Sequence, residues 1–404
     1  MSDRAAMTAP RLLTPAFSAL FAAALVFFTA GSTVLPVASR FAAGPLGADA
    51  TGVGIAIGAF AIAALVLRPV VGWASDRFGR RPLLVGGGLM TMAALGLHLF
   101  VTTLPLFIVA RSLLGIAEAF FFVAAVAAVS DLAPPERRGE ALNLGSLAVY
   151  LGLAFGPALG EATLAWGGYD AVWLAALAMA GTATVLTLLV PETAPGALRS
   201  RATGERPPRS PLIHPAGIFP GVLIMTGMWG MAGFFAFIPL YTSELGMGGA
   251  GPALALYALI VIALRIVFAK LPDQIGPARL SGFALVGSAV GLGILGLLRS
   301  PTGVYLGTAV FAIGIAFLFP ALLALAVARV DEMERGTVVG TTTAFVDLSF
   351  GLAPAILGLA VGAIGFGGTF VVSAAVAAVG SVLLAVRRGA VSRPSLPAPG
   401  TLRG

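Results

Sequence analysis

Cysteine is absent from this sequence, and histidine and lysine are nearly so. The lack of cysteine excludes disulfides, thiolate metal sites and cysteine nucleophiles. The two histidines, His98 and His214, are too far apart for an H-E-x-x-H zinc site, and no serine lies in a G-x-S-x-G motif. The single lysine, Lys270, follows Ala269, so the chain has no phosphate-binding G-K-[ST] loop. We therefore expect no enzymatic activity, no cofactor and no metal site.

Charged residues are also scarce, at 10% of 404 residues, whereas soluble proteins carry roughly 25%. Hydrophobic residues make up 58%, and the mean hydropathy is +1.01. This composition excludes both a water-soluble enzyme and a disordered chain. A membrane-spanning helix needs about 20 apolar residues. The long charge-free stretches therefore predict an all-α, polytopic membrane protein with twelve spans, at about 14–37, 50–74, 82–101, 104–131, 141–165, 169–190, 216–242, 250–270, 279–298, 302–329, 337–362 and 367–387.

The placement of the basic residues predicts the orientation in the membrane. With the N-terminus in the cytoplasm, nineteen of the 24 basic residues fall in inside loops or tails, and two fall outside. This bias follows the positive-inside rule and explains the net charge of +7 without a nucleic-acid partner. We expect a multi-pass protein of the cell (inner or plasma) membrane with both termini cytoplasmic. The other three arginines lie within spans: Arg68, Arg111 and Arg265.

The chain divides into two similar halves. A shift of 197 residues superposes rare residues in six pairs: Arg68 and Arg265, Asp76 and Asp273, Gly79 and Gly276, Arg138 and Arg335, Gly139 and Gly336, Pro157 and Pro354. Two parallel six-helix repeats, with the substrate site near the midplane between them, are one of the known transporter layouts. The predicted organisation is a cytoplasmic tail at 1–11, a pseudo-symmetric pair of six-helix bundles at 12–190 and 216–388, a cytoplasmic linker at 191–215 and a cytoplasmic tail at 389–404.

Residues 72–81 join the second and third predicted spans. They resemble the signature loop of the major facilitator superfamily, G-x-x-x-D-R-x-G-R-R, at Gly72, Asp76, Arg77, Gly79, Arg80 and Arg81. We expect Gly72 to let a neighbouring helix come close and Gly79 to permit a tight reversal. The alternative is a cytoplasmic loop whose basic residues reflect only the positive-inside rule. A degraded second copy keeps Asp273 and Gly276. The resemblance implies that these loops hold the two halves shut on the cytoplasmic side, with Asp131 near Arg80 or Arg81.

Ionisable residues inside the spans are candidates for proton coupling. Arg111 and Glu118 lie two turns apart on one face of the fourth span, in a segment that resembles the superfamily's arginine motif. Charged residues at membrane depth almost always face the bundle interior. Asp347 is the only acid within the C-terminal membrane half. Each of these residues is either a proton-coupling residue or a structural partner, and Glu118 is our first choice as the proton carrier.

Glycines recur every four residues on the fifth span. The segment resembles the antiporter motif G-x-x-x-G-P-x-x-G at Gly152, Gly156, Pro157 and Gly160. This motif is seen in the drug:proton antiporter branch of the superfamily, so the resemblance implies export. Ordinary small-residue helix packing is the alternative.

Aromatic and methionine residues on three spans are candidates to line a substrate cavity, since such surfaces adapt to varied apolar ligands. The candidates are Phe28, Phe121, Met228, Trp229 and Phe235. The alternative for each of them is a side chain that faces lipid or fills the space between helices.

The resemblance covers nearly the whole chain. It implies a secondary active transporter that exports small lipophilic or amphiphilic compounds by proton-coupled antiport and alternating access. Its expected partners are a small-molecule substrate, protons and the lipid bilayer, and the expected state is a monomer. The alternatives are proton-coupled or passive uptake of a small polar nutrient such as a sugar, and a membrane protein that transports nothing, such as a receptor or a lipid-modifying enzyme.

Overall fold

The structure, a computed structural model, describes residues 12–134, 137–194, 213–268, 274–328 and 335–391, which form twelve helical passes. The first half contains α1 (Pro15–Ala43), α2 (Ala50–Phe78), α3 (Arg80–His98), α4 (Leu104–Leu132), and α5 and α6 within Arg138–Thr187. The second half contains α7 (Pro215–Glu244), α8 (Gly251–Val267), α9 (Pro277–Leu297), α10 (Pro301–Val327), and α11 and α12 within Arg335–Val391. The predicted tail at 1–11, most of the linker (195–212) and the chain end at 392–404 lie outside the described residues.

Two helical stretches are too long to cross a bilayer once. Arg138–Thr187 and Arg335–Val391 hold 50 and 57 residues. At 1.5 Å per residue, each would be more than twice as long as a hydrocarbon core of about 30 Å. Each stretch breaks at a glycine with positive φ, Gly168 (72°) or Gly365 (68°). We therefore divide them into α5 (138–167) and α6 (169–187), and α11 (335–364) and α12 (366–391).

The backbone follows the repeat that the sequence predicts. Gly168 and Gly365 are 197 residues apart, and so are Gly79 and Gly276, whose φ angles are 107° and 84°. Residues other than glycine rarely adopt positive φ angles, so the backbone conformation at these positions favours glycine. The repeat offset therefore recurs in the turns between helices as well as in the rare charged residues.

Several helices begin at the residues that their sequence favours. The side chains of Thr14, Asp49 and Ser300 each accept a hydrogen bond from the backbone N–H three residues later, at 3.2, 2.8 and 3.1 Å. Proline follows Thr14 and Ser300 at the first helical position. These are favourable N-caps, because they satisfy a donor that the helix itself leaves free.

The glycines of the fifth span form a seam between α1 and α5. A Cβ added at Gly152 would lie 2.8 Å from Phe28, and one at Gly156 or Gly160 would overlap Ser32 or Thr33. The two helices therefore approach at backbone distance along this seam, with Pro157 inside α5. Close packing of this kind is what small residues allow in membrane helices.

The two halves approach each other closely where α2 meets α11 near one end of the bundle. We call the end where α1 begins the terminal side and the opposite end the distal side. On the distal part of α2, a Cβ at Gly54 or Gly58 would overlap the carbonyl oxygen of Pro354 or Gly351 on α11. On the terminal part of α2, a Cβ at Gly72 would meet nothing within 4 Å. The helices α2 and α11 thus form a distal seal.

Candidate functional site

An ion pair joins the two halves in the middle of the α2–α11 interface. Arg68 on α2 donates a hydrogen bond from Nη2 to Oδ1 of Asp347 on α11, at 2.9 Å. The Nε of the same guanidinium lies 2.8 Å from Oδ2, and the side chains of Arg68 and Asp347 are 18% and 13% exposed. The Nη2–Oδ1 hydrogen bond is charge-assisted, and such bonds are among the stronger polar interactions in proteins. The pair is therefore a specific link between the N-terminal and C-terminal halves.

A second carboxylate reaches the same arginine from the N-terminal half. Glu118 on α4 places Oε2 3.8 Å from Nη2 of Arg68. The guanidinium also lies over the Phe122 ring, 4.7 Å from its centroid. We call Arg68, Glu118 and Asp347 the coupling centre. One guanidinium cannot neutralise two carboxylates, so the centre carries one negative charge when both acids are ionised and none after one proton binds.

Arg111 does not belong to this centre. Its side chain is buried and lies over the Phe60 ring, 5.1 Å from the centroid, and its Nε has no hydrogen-bond partner in the described part of the chain. Two helical turns, about 10 Å, separate Arg111 from Glu118 along α4. The arginine that meets Glu118 therefore comes from α2, and a proton-coupling role for Arg111 stays a prediction.

The sequence carries a signal for Arg68 that local patterns do not interpret. Arg68 is one of three arginines inside the spans and the repeat partner of Arg265, and neither observation by itself assigns it a role. An arginine at membrane depth needs a counter-charge. Its two partners lie on different helices, so no local spacing along the chain relates them to it.

The signature loop is organised by a residue that follows the sixth helix. Oε1 of Glu192 accepts a hydrogen bond from the backbone N–H of Arg80 at 2.8 Å, and Oε2 accepts one from that of Arg81 at 3.3 Å. A carboxylate at this place caps the N-terminus of α3 and complements its dipole. Gly79 is favoured by its φ of 107°, and a Cβ there would also displace the Glu192 carboxylate from its present position.

The other described contacts of the loop also stay within the N-terminal half. Nε of Arg80 lies 3.2 Å from Oδ2 of Asp131, and Nη2 of Arg81 donates to the carbonyl of Leu188 at 2.8 Å. Arg77 lies over the Trp73 ring at 5.3 Å. The side chain of Asp76 and the whole of Asp273 lie outside the described residues. These contacts stabilise the N-terminal half, and the role of the loop in holding the two halves shut stays a prediction.

Gly72 does not play the part we expected for it in this conformation. The prediction was that its lack of a side chain lets a neighbouring helix come close, yet a Cβ there would meet nothing within 4 Å. The close backbone approaches of α2 to α11 lie instead at Gly54 and Gly58, on the distal side. Gly276, in the second copy of the loop, has a φ of 84° and likewise no close neighbour among the described residues.

The five cavity candidates differ in how far they are buried. Phe121 and Phe235 are fully buried, the first stacked on Phe27 at 3.8 Å and the second 5.4 Å from Tyr257. Each ring therefore packs in the core of its own half. Phe28 and Met228 are also buried, at 9% and 5% exposure, while Trp229 is partly exposed. The enclosed indole Nε1 of Trp229 has no hydrogen-bond partner among the described residues.

Comparisons with protein families and with known proteins find membrane transporters that are similar to this chain. The model of the Major Facilitator Superfamily matches residues 20–298 and 249–403. An uncharacterised MFS-type transporter of Salmonella typhimurium, STM4428, is 31% identical over 348 residues, which cover 82% of this chain and 86% of that protein. The uncharacterised MFS-type transporter YhhS of Escherichia coli K12 is 26% identical over 323 residues, covering 78% of each chain.

Solved structures share the fold at low sequence identity. A bacterial homologue of the human lysosomal transporter Spinster, in an inward-facing and unoccupied conformation, has a TM-score of 0.78 and 14% identity, covering 97% of this chain and all of that one. The human organic anion transporter MFSD10 has a TM-score of 0.70 and 18% identity, covering 93% of this chain. With the family match, the apolar helices and the interface between two halves all in agreement, this chain belongs to the Major Facilitator Superfamily and is a multi-pass membrane transporter.

Proposed function

We propose that this protein exports small lipophilic or amphiphilic compounds in exchange for protons, by alternating access between its two sides. The observation that carries the proposal is the coupling centre, in which Arg68 meets Asp347 of one half and Glu118 of the other. A proton taken up by either acid changes the net charge of the centre, and a proton on Asp347 weakens the link between the halves. Proton binding and the movement of the halves are thereby connected through one arginine.

The coupling centre lies where a change in its net charge acts directly on the contact between α2 and α11. It stands between the distal seal of α2 and α11 and the terminal part of α2, where Gly72 has no close neighbour. With Asp347 ionised, its pairing with Arg68 stabilises this distal-closed arrangement. Protonation of Asp347 removes the ion pair, so the halves separate at the seal at a lower cost. If the termini are cytoplasmic, the described conformation receives substrate from the cytoplasm.

The antiporter motif supports export over uptake. Its glycines join α1 and α5 into a tightly packed unit, and the resemblance associates that unit with proton antiporters. The driving force suffices for export. Each proton supplies about 2.3 kcal/mol per 100 mV and about 1.4 kcal/mol per pH unit.

The test uses everted membrane vesicles with an acid interior and a pH-sensitive dye. A panel of lipophilic cations, amphiphilic anions, neutral amphiphiles and sugars is added to wild type, Asp347→Asn and Glu118→Gln. Asp170→Asn is the matched control, because Asp170 is an exposed acid of α6 outside the coupling centre. We expect an amphiphilic compound to drain the gradient in wild type and in the control, and we expect Asp347→Asn to abolish this proton flux.

Two results would contradict the proposal. One is a sugar or other polar nutrient that crosses without moving protons, which would favour the uptake alternative. The other is proton flux that persists in both Asp347→Asn and Glu118→Gln, which would place the proton carrier outside the coupling centre.

A further inference from the structure

The repeat relates the coupling centre to a second cluster at the opposite interface between the halves. The 197-residue offset carries Arg68 to Arg265, Glu118 to Ile315 and Phe122 to Phe319, and it relates Asp347 to Tyr150. The second cluster therefore keeps the arginine and the aromatic ring, but both carboxylates are replaced by uncharged residues. From this asymmetry we propose that Arg265 and Tyr150 bind the negatively charged group of an amphiphilic organic anion. The inference names a substrate class and rests on the proposed transport function.

Arg265 bridges the halves as Arg68 does. Its Cζ lies only 3.6 Å from the centroid of the Tyr150 ring on α5, in the other half. Its Nε donates to the carbonyl oxygen of Ala316 at 3.0 Å. Ala316 lies where α10 breaks, between Pro301–Ile315 and Leu318–Val327. The arginine thus satisfies a carbonyl that the broken helix leaves free, as backbone groups at membrane depth require.

The charge of Arg265 has no counter-charge in the described part of the chain. The ion pairs found there involve Arg40, Arg68 and Arg80, and the groups that Arg265 meets, the Ala316 carbonyl and the Tyr150 side chain, are both neutral. Arginine stays protonated under all physiological conditions. A permanent charge at membrane depth is costly without a partner. An anion carried by the transporter would supply that partner during each passage.

A second polar group lies at the same place. The Oη of Tyr150 is enclosed; it lies near the Arg265 guanidinium but makes no hydrogen bond of good geometry within the described ranges. A hydroxyl from one half and a guanidinium from the other are both donors to an oxyanion, and guanidinium geometry matches a carboxylate in particular. The Phe319 ring stands 5.7 Å from the Tyr150 ring and offers apolar surface beside the charge. The cluster therefore fits an aromatic or otherwise apolar body that carries a carboxylate.

The anion site and the coupling centre are separate. The coupling centre lies at the α2–α11 interface, and the Arg265 cluster lies at the α5–α8 interface. Arg265 keeps its charge whether or not Asp347 and Glu118 bind protons. Anion binding therefore does not depend on the protonation state of these two acids. Loss of one function can therefore be measured without loss of the other.

The experiment measures binding of radiolabelled 2-naphthoate to the purified full-length protein, by scintillation proximity, with 2-naphthamide and a naphthyl trimethylammonium compound as competitors. The variants are Arg265→Lys, Arg265→Gln and Tyr150→Phe. Arg387→Gln is the matched control, since Arg387 also lies over an aromatic ring, Phe219 at 4.0 Å, but within the C-terminal half and outside the cluster. Proton flux in vesicles is recorded for the same variants.

We expect the carboxylate to bind wild type and Arg387→Gln, and the amide and the ammonium compound to compete poorly. Arg265→Gln should weaken naphthoate binding about ten- to hundredfold, the range for losing a charge-assisted hydrogen bond. Arg265→Lys should keep much of the preference for the anion, and Tyr150→Phe should lose several-fold in affinity.

The inference is overturned if wild type does not bind naphthoate, if the amide competes as well as the carboxylate, or if Arg265→Gln binds naphthoate as wild type does. Failure of the proposed function looks different. In that case naphthoate binds and depends on Arg265, but its transport moves no protons and is unaffected by Asp347→Asn.

Discussion

The distal seal offers a test of how the two halves move. Gly58 on α2 meets Gly351 on α11 at backbone distance, and a Cβ at Gly58 would overlap the Gly351 carbonyl oxygen. A helix carbonyl cannot rotate away as the end of a flexible side chain can. Gly58→Ala therefore requires α2 and α11 to move apart by about 1 Å to restore normal atomic contact.

This displacement raises the free energy of the distal-closed conformation. Overpacking of this kind costs about 1–3 kcal/mol. When the distal side opens, α2 and α11 separate there, so the distal-open conformation does not bear the cost. Because 1.4 kcal/mol is a tenfold change in an equilibrium constant, the ratio of distal-closed to distal-open molecules should fall about 5- to 150-fold.

Spin-label distance measurements detect the shift. The chain has no cysteine, so labelling sites can be added without removing native thiols. Pro45→Cys with Gly248→Cys reports on exposed positions of the distal side, one in each half. We expect Gly58→Ala to enrich longer distal distances.

Gly72→Ala is the matched control, because Gly72 lies on the same helix and a Cβ there has no atom within 4 Å. It should leave the distal distances as they are in the parent pair. If Gly58→Ala folds normally and also leaves them unchanged, contact between α2 and α11 is not what closes the distal side, and the reasoning is refuted.

Two further predictions concern stability, each measured as the melting temperature of the purified protein. Glu192→Ala removes the carboxylate that caps α3, so we expect a loss of about 1–2 kcal/mol; a melting temperature equal to that of wild type would show that the cap contributes little. Glu161→Ala removes the acceptor of Arg40, whose Nη1 lies 2.8 Å from Oε2. A fully buried pair would cost about 3–5 kcal/mol to break, but the Arg40 side chain is 23% exposed, so we expect about 1–3 kcal/mol, and a stabilised variant would contradict this.

The fold was predictable because its signals are local or periodic. Charge-free runs of about 20 residues define the spans, and bilayer thickness fixes their length. The 197-residue repeat, read from rare residues such as Arg68 and Arg265, recurs in the positive φ angles of Gly168 and Gly365. Span count, helical class and repeat therefore needed no tertiary information.

The candidate site was only partly predictable. Glu118 and Asp347 stood out because acids are rare at membrane depth. The sequence places Glu118 on the same helical face as Arg111 but too far from it for a direct pair, whereas the structure places Glu118 beside Arg68. Glu192 gave no sign of capping α3, because its contacts join segments 112 residues apart.

The sequence by itself determined that this chain is a twelve-helix membrane protein made of two related halves. Hydropathy and helix periodicity are properties of short segments, and they can be read without knowing which helices are in contact. Only the tertiary structure decided that Arg68 is shared by two carboxylates and that its repeat partner, Arg265, meets none among the described residues. The reason is physical: a charge within a bilayer is defined by the groups around it, and those groups come from helices far apart along the chain.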